Sequence, residues 1–264
     1  MTHPPATARV RVLLASALSV TGLLTTAACS LDNEPRPRWF NPSAPATAVS
    51  PAGEQPAGSG AALTEAQARA ALITEADLGE PWGPTRGART WRDGLLKATT
   101  EKRDCQRLLD ALYAEDLFGP PTGPHAVSAL DDADTDAQLR YQVAAHRPAD
   151  VDRALDWMKS LPGKCGQFMA ATTRGGVQTV EVTRMPLPPV GNARQGLRVT
   201  LAGETEEGEL TYLTMDLAAA RVGEEAITVT NAGLDEVHAE VTQQTVQLGV
   251  QRLTDLRKQG RAQI

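Results

Sequence analysis

Val177-Gln178-Thr179-Val180-Glu181-Val182-Thr183-Arg184-Met185 is the stretch on which the fold turns. Thr179, Glu181 and Thr183 alternate with Val180 and Val182. A strand in an antiparallel sheet reads this way when one face is buried and the other is wet. The same period of two continues on both sides, and it predicts strands over 168–173, 177–185, 196–202, 210–220 and 225–230. Gly175-Gly176, Gly191-Asn192, Gly203 to Gly208 and Val222-Gly223 punctuate them.

Upstream the period is helical. Thr64-Glu65-Ala66-Gln67 has the spacing of a capping box. Leu63, Ala66, Ala70 and Ile73 then predict a first helix to about residue 76. The stretch 83–98 is Gly-rich and mixed, with a short strand expected over 88–91. Cys105, Leu108, Leu109, Leu112 and Tyr113 share a stripe, predicting a second helix over 101–117 that Gly119-Pro120-Pro121 ends. Two strands follow, over 125–130 and 137–146, joined by an acidic turn from Asp131 to Asp136. Val151, Ala154, Leu155, Met158 and Leu161 predict a third helix over 150–161, stopped by Pro162-Gly163. Downstream of the strands, Asp235 is a natural N-cap for a last helix to about Lys258, with Val237, Val241, Leu248, Leu253 and Leu256 on its buried face. The expected class is therefore α+β: an antiparallel sheet with packed helices, one disulfide-stabilised domain and a long C-terminal helix.

The N-terminus is built differently. In the 264-residue chain, Arg9 and Arg11 are the only charged side chains before Asp32. An apolar run from Val12 to Leu24 and the small residues Thr26-Ala27-Ala28 lead to Cys29. This is the layout of an export signal, and the run is too short and interrupted for a stable membrane-spanning helix. Small residues directly before a Cys resemble the lipobox of bacterial lipoproteins. That likeness implies cleavage after Ala28 and acylation of Cys29, placing the chain on the extracytoplasmic face of the cell membrane. Thr26 departs from the Leu or Val usual three residues before the Cys; an ordinary secretory signal, with Cys29 a bystander, is the alternative. Residues 1–28 are thus read as a lipoprotein signal peptide and 29–61 as a tether. The tether carries Pro35, Pro37, Pro42, Pro45, Pro51 and Pro56, and a coil of that length spans on the order of 30 Å. Residues 62–264 form the folded domain.

The cysteines number three: Cys29, Cys105 and Cys165. With Cys29 carrying lipid, Cys105 and Cys165 remain as a pair, and an oxidising compartment favours a disulfide between them. Two free thiols are the alternative.

The order of these features resembles the PknH-like extracellular sensor domain, here as a free-standing lipoprotein. The matching residues are Ala71-Leu72-Ile73-Thr74-Glu75-Ala76-Asp77-Leu78 followed by Trp82, Cys105 followed by Leu108-Leu109, the segment Leu161 to Phe168, and the connector Pro186 to Gly191. The resemblance implies an antiparallel sheet with helices packed on it and a groove for an unidentified ligand. Members often have two disulfides; this chain has cysteines for one.

The formal net charge of -6 and the aromatic share of 4% give no footing for a nucleic-acid partner. His125, His146 and His238 lie on different elements, and no serine-hydrolase, zinc-protease or phosphate-loop motif occurs. They are read as surface or half-buried residues. Asp132, Asp134 and Asp136 open like a calcium loop, but Ala137 and Val143 stand where it needs Gly and Glu. A solvated turn is the reading, with weak calcium binding the alternative. Glu204, Glu206, Glu207 and Glu209 read as a second solvated turn, and Asp150, Asp152 and Asp156 as carboxylates that complement a helix N-terminus. The expected function is a non-enzymatic sensor or small-ligand-binding lipoprotein without cofactor or metal, whose partners are the membrane and a small ligand or signalling protein. A lipid or glycolipid carrier is the second reading, and an uncharacterised hydrolase a third.

Overall fold

The computed structural model describes residues 63–262 apart from 90, 174–175, 205–207 and 235–236. The predicted signal, Cys29 and the tether lie outside them, as do Asp235, Glu206 and Glu207.

The helices are α1 (Glu65–Ala70), α2 (Glu75–Leu78), α3 (Arg103–Ala114), α4 (Pro148–Cys165) and α5 (Ala239–Ala262). The strands are β1 (Trp82–Pro84), β2 (Ala98–Thr99), β3 (His125–Asp132), β4 (Gln138–Ala145), β5 (Gln167–Thr172), β6 (Val177–Arg184), β7 (Ala193–Glu204), β8 (Leu210–Val222) and β9 (Glu225–Leu234). They form one sheet in the order β1-β3-β4-β9-β8-β7-β6-β5-β2, with every pair antiparallel. The β3–β4 hairpin is followed by α4, which crosses the sheet to its far side. The meander from β5 to β9 then walks back until β9 pairs with β4. The α+β class, the single sheet and the long C-terminal helix are as the sequence predicts.

Alternation along β8 assigns the two faces. Leu213, Met215, Leu217 and Ala219 join the core under α3 and α4, whereas Ala218, Ala220 and Val222 join the core under α5 and α1. A strand covered on both faces needs apolar residues at nearly every position, and that is how β8 reads. The quoted strand, now β6, is covered on one face only. Val180 and Val182 are fully buried against α4's side, and Glu181 and Thr183 are exposed.

Four local expectations are corrected. The first helix is broken into α1 and α2, and its buried residues are Leu63, Ala68, Ala71 and Ile73 rather than Ala66 and Ala70. The capping box of Thr64 with Gln67 is present. The break has two causes: Arg252 of α5 donates to the Leu72 carbonyl, and the Thr74 backbone N–H and hydroxyl both donate to Asp77. The strand expected over 88–91 is absent among the described residues there. Instead β1 lies before it, and a single π turn, Arg92–Leu96, leads into β2. The third helix runs through Pro162 to Cys165. A mid-helix proline costs about 3 kcal/mol in isolation; here the fully buried Leu161 and Cys165 flank it and hold the last turn. Finally, the buried face of α5 is Thr242, Thr245, Val246, Gly249, Val250 and Leu253, while Val241, Leu248 and Leu256 are half-buried.

Gly249 explains that shift of face. A Cβ there would lie 2.6 Å from the Tyr141 hydroxyl, so only glycine lets α5 sit directly on the ring. Tyr141 is fully buried, and among the described residues its hydroxyl has no hydrogen-bond partner. Burial pushes its pKa well above the ordinary phenolic value. An orphaned buried hydroxyl is a net cost. Tyr141→Phe is expected to raise unfolding stability by roughly 1 kcal/mol; a lower midpoint in urea would show that the hydroxyl is satisfied in solution.

Candidate functional site

Helices α3 and α4 pack side by side on the sheet. The disulfide joins the start of α3 to the end of α4, with Cys105 and Cys165 Cα atoms 5.6 Å apart. Midway, Trp157 of α4 donates its ring N–H to Asp104 at 3.1 Å, and the Arg107 guanidinium lies 3.9 Å above the same ring. At the opposite end an open groove of about 810 Å³ separates the second half of α3, the loop 116–119 and the first half of α4.

The loop leaves α3 through Glu115, a non-glycine residue in the left-handed region at φ 53°. Such a conformation costs on the order of 1 kcal/mol and persists where its surroundings over-determine it. Here they do. The Glu115 carboxylate pairs with Arg92, and with Arg140 of β4 at 2.8 Å. Arg92 also donates to the Tyr113 carbonyl, satisfying one of the acceptors that the end of α3 leaves open. Phe118 in the same loop meets His146 with ring centroids 5.4 Å apart and planes tilted by 59°.

His146 follows β4 directly and lies just ahead of α4. It is buried at 5% exposure, against the expectation of a surface or half-buried residue, because Phe118 covers it. Burial holds its pKa below the ordinary imidazole value, although the Asp116 and Asp150 carboxylates pull the other way. A histidine with a depressed folded-state pKa favours the fold when neutral, so that contribution is present above about pH 6.5 and is lost as pH falls below it. The unfolding midpoint should therefore fall between pH 6.5 and 5, and His146→Phe should flatten that part of the profile. An identical slope in the variant would move the pH dependence elsewhere.

The rim of the groove mixes both signs of charge. Arg107, Arg147 and Arg153 stand among Asp110, Asp116, Asp150 and Asp156. Asp150 lies in the first turn of α4, where a carboxylate suits the helix dipole. It is paired with Arg147 at 2.5 Å and with Arg153. The Arg147 hydrogen bond lowers its pKa from the ordinary carboxylate value. Beneath the rim, between α3 and the sheet, a narrow slot lined by Leu112, Leu117, Leu217 and Thr230 holds about 10 Å³.

The structure brings Cys105 and Cys165 together and leaves the three histidines apart: His125 on β3 and His238 ahead of α5 are both exposed. Of the three acidic residues at α4, Asp150 and Asp156 face the groove and Asp152 pairs with Arg221 at 2.7 Å. The Asp131–Asp136 segment is less solvated than expected. Asp132 is buried and accepts from the backbone N–H of Asp134 and Thr135, so one carboxylate builds the turn. Glu204 is exposed at the end of β7. Among the described residues no three His, Cys, Asp or Glu side chains are grouped to hold a metal, and no helix is long and apolar enough to cross a membrane. Glu115 and Phe118 carried no signal in the sequence, because their partners lie on other elements.

No family model matches the chain, and no curated protein matches it. Among solved structures it is similar to the extracellular domain of PknH from Mycobacterium tuberculosis, at 15% identity and TM-score 0.43, covering 74% of this chain and 97% of that one. It is also similar to an uncharacterised protein from Rhizobium leguminosarum, at 12% identity and TM-score 0.24, covering 51% of this chain and 98% of that one. Likenesses at this level carry no weight for function.

Proposed function

We propose that this chain is an extracytoplasmic lipoprotein, anchored through Cys29, whose folded domain binds a small polar ligand in the groove between α3 and α4 and catalyses no reaction. The observation that carries the reading is the groove itself: about 810 Å³, open at the end of the helix pair away from the disulfide, with both signs of charge on its rim. Ligand sites are concave and present a few fixed polar groups. Here the fixing is done by the Glu115 ion pairs behind the loop and by Asp150 between Arg147 and Arg153. General bases that work near neutral pH are most often an accessible imidazole or a carboxylate raised toward neutrality. Asp150 is shifted the other way and His146 is covered by Phe118, which supports binding over chemistry.

The carrier reading has less support. The apolar slot below the groove holds about 10 Å³, which is room for about one water, and the larger space is lined by charges.

The test is a thermal-shift screen of the chain against small polar metabolites at 1 mM. A ligand with Kd near 10 μM would stabilise by about 2.7 kcal/mol, and the shift should be lost when Arg147 and Asp156 are both replaced by Ala. If no compound shifts the midpoint, or if shifts survive that double replacement, the groove is not the site. Anchoring is tested separately: incorporation of a radiolabelled fatty-acid precursor should disappear in Cys29→Ala.

A further inference from the structure

A second cleft shares no residue with the groove. It lies where β6 ends and β7 begins, against α4, and its volume is about 490 Å³. Lys159 of α4, Arg184 of β6 and Arg194 at the start of β7 line it, together with Met185, Pro186 and Leu187 of the connector. Among the described residues no Asp or Glu lines the cleft, and none of these three basic side chains is in an ion pair. Ten arginines elsewhere in the domain are each paired with a carboxylate. In a chain of net charge -6, three uncompensated cations in one concavity focus a positive potential that attracts anions.

The floor of the cleft is built rather than loose. The Met185 N–H donates to the Gly196 carbonyl at 3.1 Å, and Gln243 of α5 donates to the Pro186 carbonyl at 3.0 Å. A Cβ at residue 196 would lie 2.5 Å from the Met185 carbonyl oxygen and 3.0 Å from Leu187 Cγ, so glycine is what allows the connector to lie against β7. The apolar side chains and the cations are thereby held together before any ligand arrives, which limits the ordering cost of binding.

We propose that this cleft is a binding site for an anionic amphiphile: a phosphate or carboxylate headgroup on a short apolar chain, the anion held by Lys159, Arg184 and Arg194 and the chain by Met185, Pro186 and Leu187. Guanidinium groups suit such headgroups because their N–H fork matches two oxygens at once. The amphiphile is either a soluble molecule or a lipid whose headgroup enters from a membrane surface.

The test compares the full chain carrying Cys29→Ala, so that no acyl anchor contributes, with the same chain also carrying Lys159→Gln, Arg184→Gln and Arg194→Gln. All three side chains are exposed, so the melting temperature is expected to stay unchanged. Octyl phosphate is titrated calorimetrically, alongside inorganic phosphate and octyl glucoside. Co-sedimentation with vesicles of phosphatidylcholine, with and without phosphatidylglycerol, forms the second arm. At least a tenfold loss of octyl phosphate affinity in the triple variant supports a soluble ligand, and loss of the phosphatidylglycerol-dependent binding supports a lipid headgroup. Equal behaviour of the two chains in both arms overturns the proposal. So does equal affinity for octyl phosphate and either inorganic phosphate or octyl glucoside.

Discussion

Replacing both Cys105 and Cys165 with Ala is expected to lower unfolding stability by about 4 kcal/mol. The bridge closes a loop of 60 residues. In the chain-entropy description most of the loss comes from the unfolded chain, which gains freedom once the loop is open. The folded side adds to it. Both cysteines are buried in the core under α3 and α4, so truncation to Ala leaves small gaps there. Urea unfolding followed by tryptophan fluorescence should show a lower midpoint. It should also show a steeper dependence on urea, because the uncrosslinked chain exposes more surface. Wild type unfolded in the presence of a reductant should lose the chain-entropy part alone and fall between the two, because both thiols still fill the core. Coincident curves for the variant and oxidised wild type would mean that neither the bridge nor the packing of its sulfurs contributes.

The second large effect is expected at Arg198. This residue on β7 stands directly opposite Asp216 on β8, and its guanidinium grips the fully buried carboxylate at 2.7 and 2.9 Å. It also donates to the Val237 carbonyl at 2.8 Å, and the Thr242 hydroxyl adds a third donor to Asp216 at 3.3 Å. The cluster thus fastens the middle of the sheet to the chain entering α5. Arg198→Ala leaves a buried carboxylate with one hydroxyl donor, and breaking a buried pair from one side costs about 3–5 kcal/mol. Asp216→Asn should cost less, since a neutral amide of the same shape replaces the charge and the half-exposed Arg198 can turn toward water. Removing both charges with Arg198→Met and Asp216→Leu should recover much of the loss. Denaturation of the four proteins checks the order. If Asp216→Asn proved the more damaging single change, or the double change merely added the two losses, the account of a stranded charge would fail.

What the sequence disclosed, and what it did not, follows from the range of the interactions. Period two in Val177–Met185 and the stripe of Cys105, Leu108, Leu109 and Leu112 are local patterns, and both elements stand where the patterns put them. The disulfide followed from counting thiols. The break between α1 and α2 did not, because half of its cause, Arg252, is 180 residues from the carbonyl that it holds. The buried face of α5 was misread for a related reason. Aliphatic spacing favoured Val241, Leu248 and Leu256, but the helix packs through Gly249 and two threonines to accommodate Tyr141. The groove was the least legible feature. Glu115 takes its importance from Arg92 and Arg140, 23 and 25 positions away, and in the one-dimensional text it is an acidic residue at a helix end. The positive cleft was hidden too, since Lys159, Arg184 and Arg194 become neighbours only after α4 has crossed the sheet.

The disulfide between Cys105 and Cys165 also has a mechanical meaning. It pins one end of the α3–α4 pair, and the groove lies at the other. With 18 residues, α4 is a rigid arm about 27 Å long. A rotation of about 5° around the pinned end moves the far tip by about 2 Å, a distance that decides whether a methyl group or a water fits between two walls. A change of interhelical angle about that pin would therefore be felt most at the mouth of the groove and least beside the bridge.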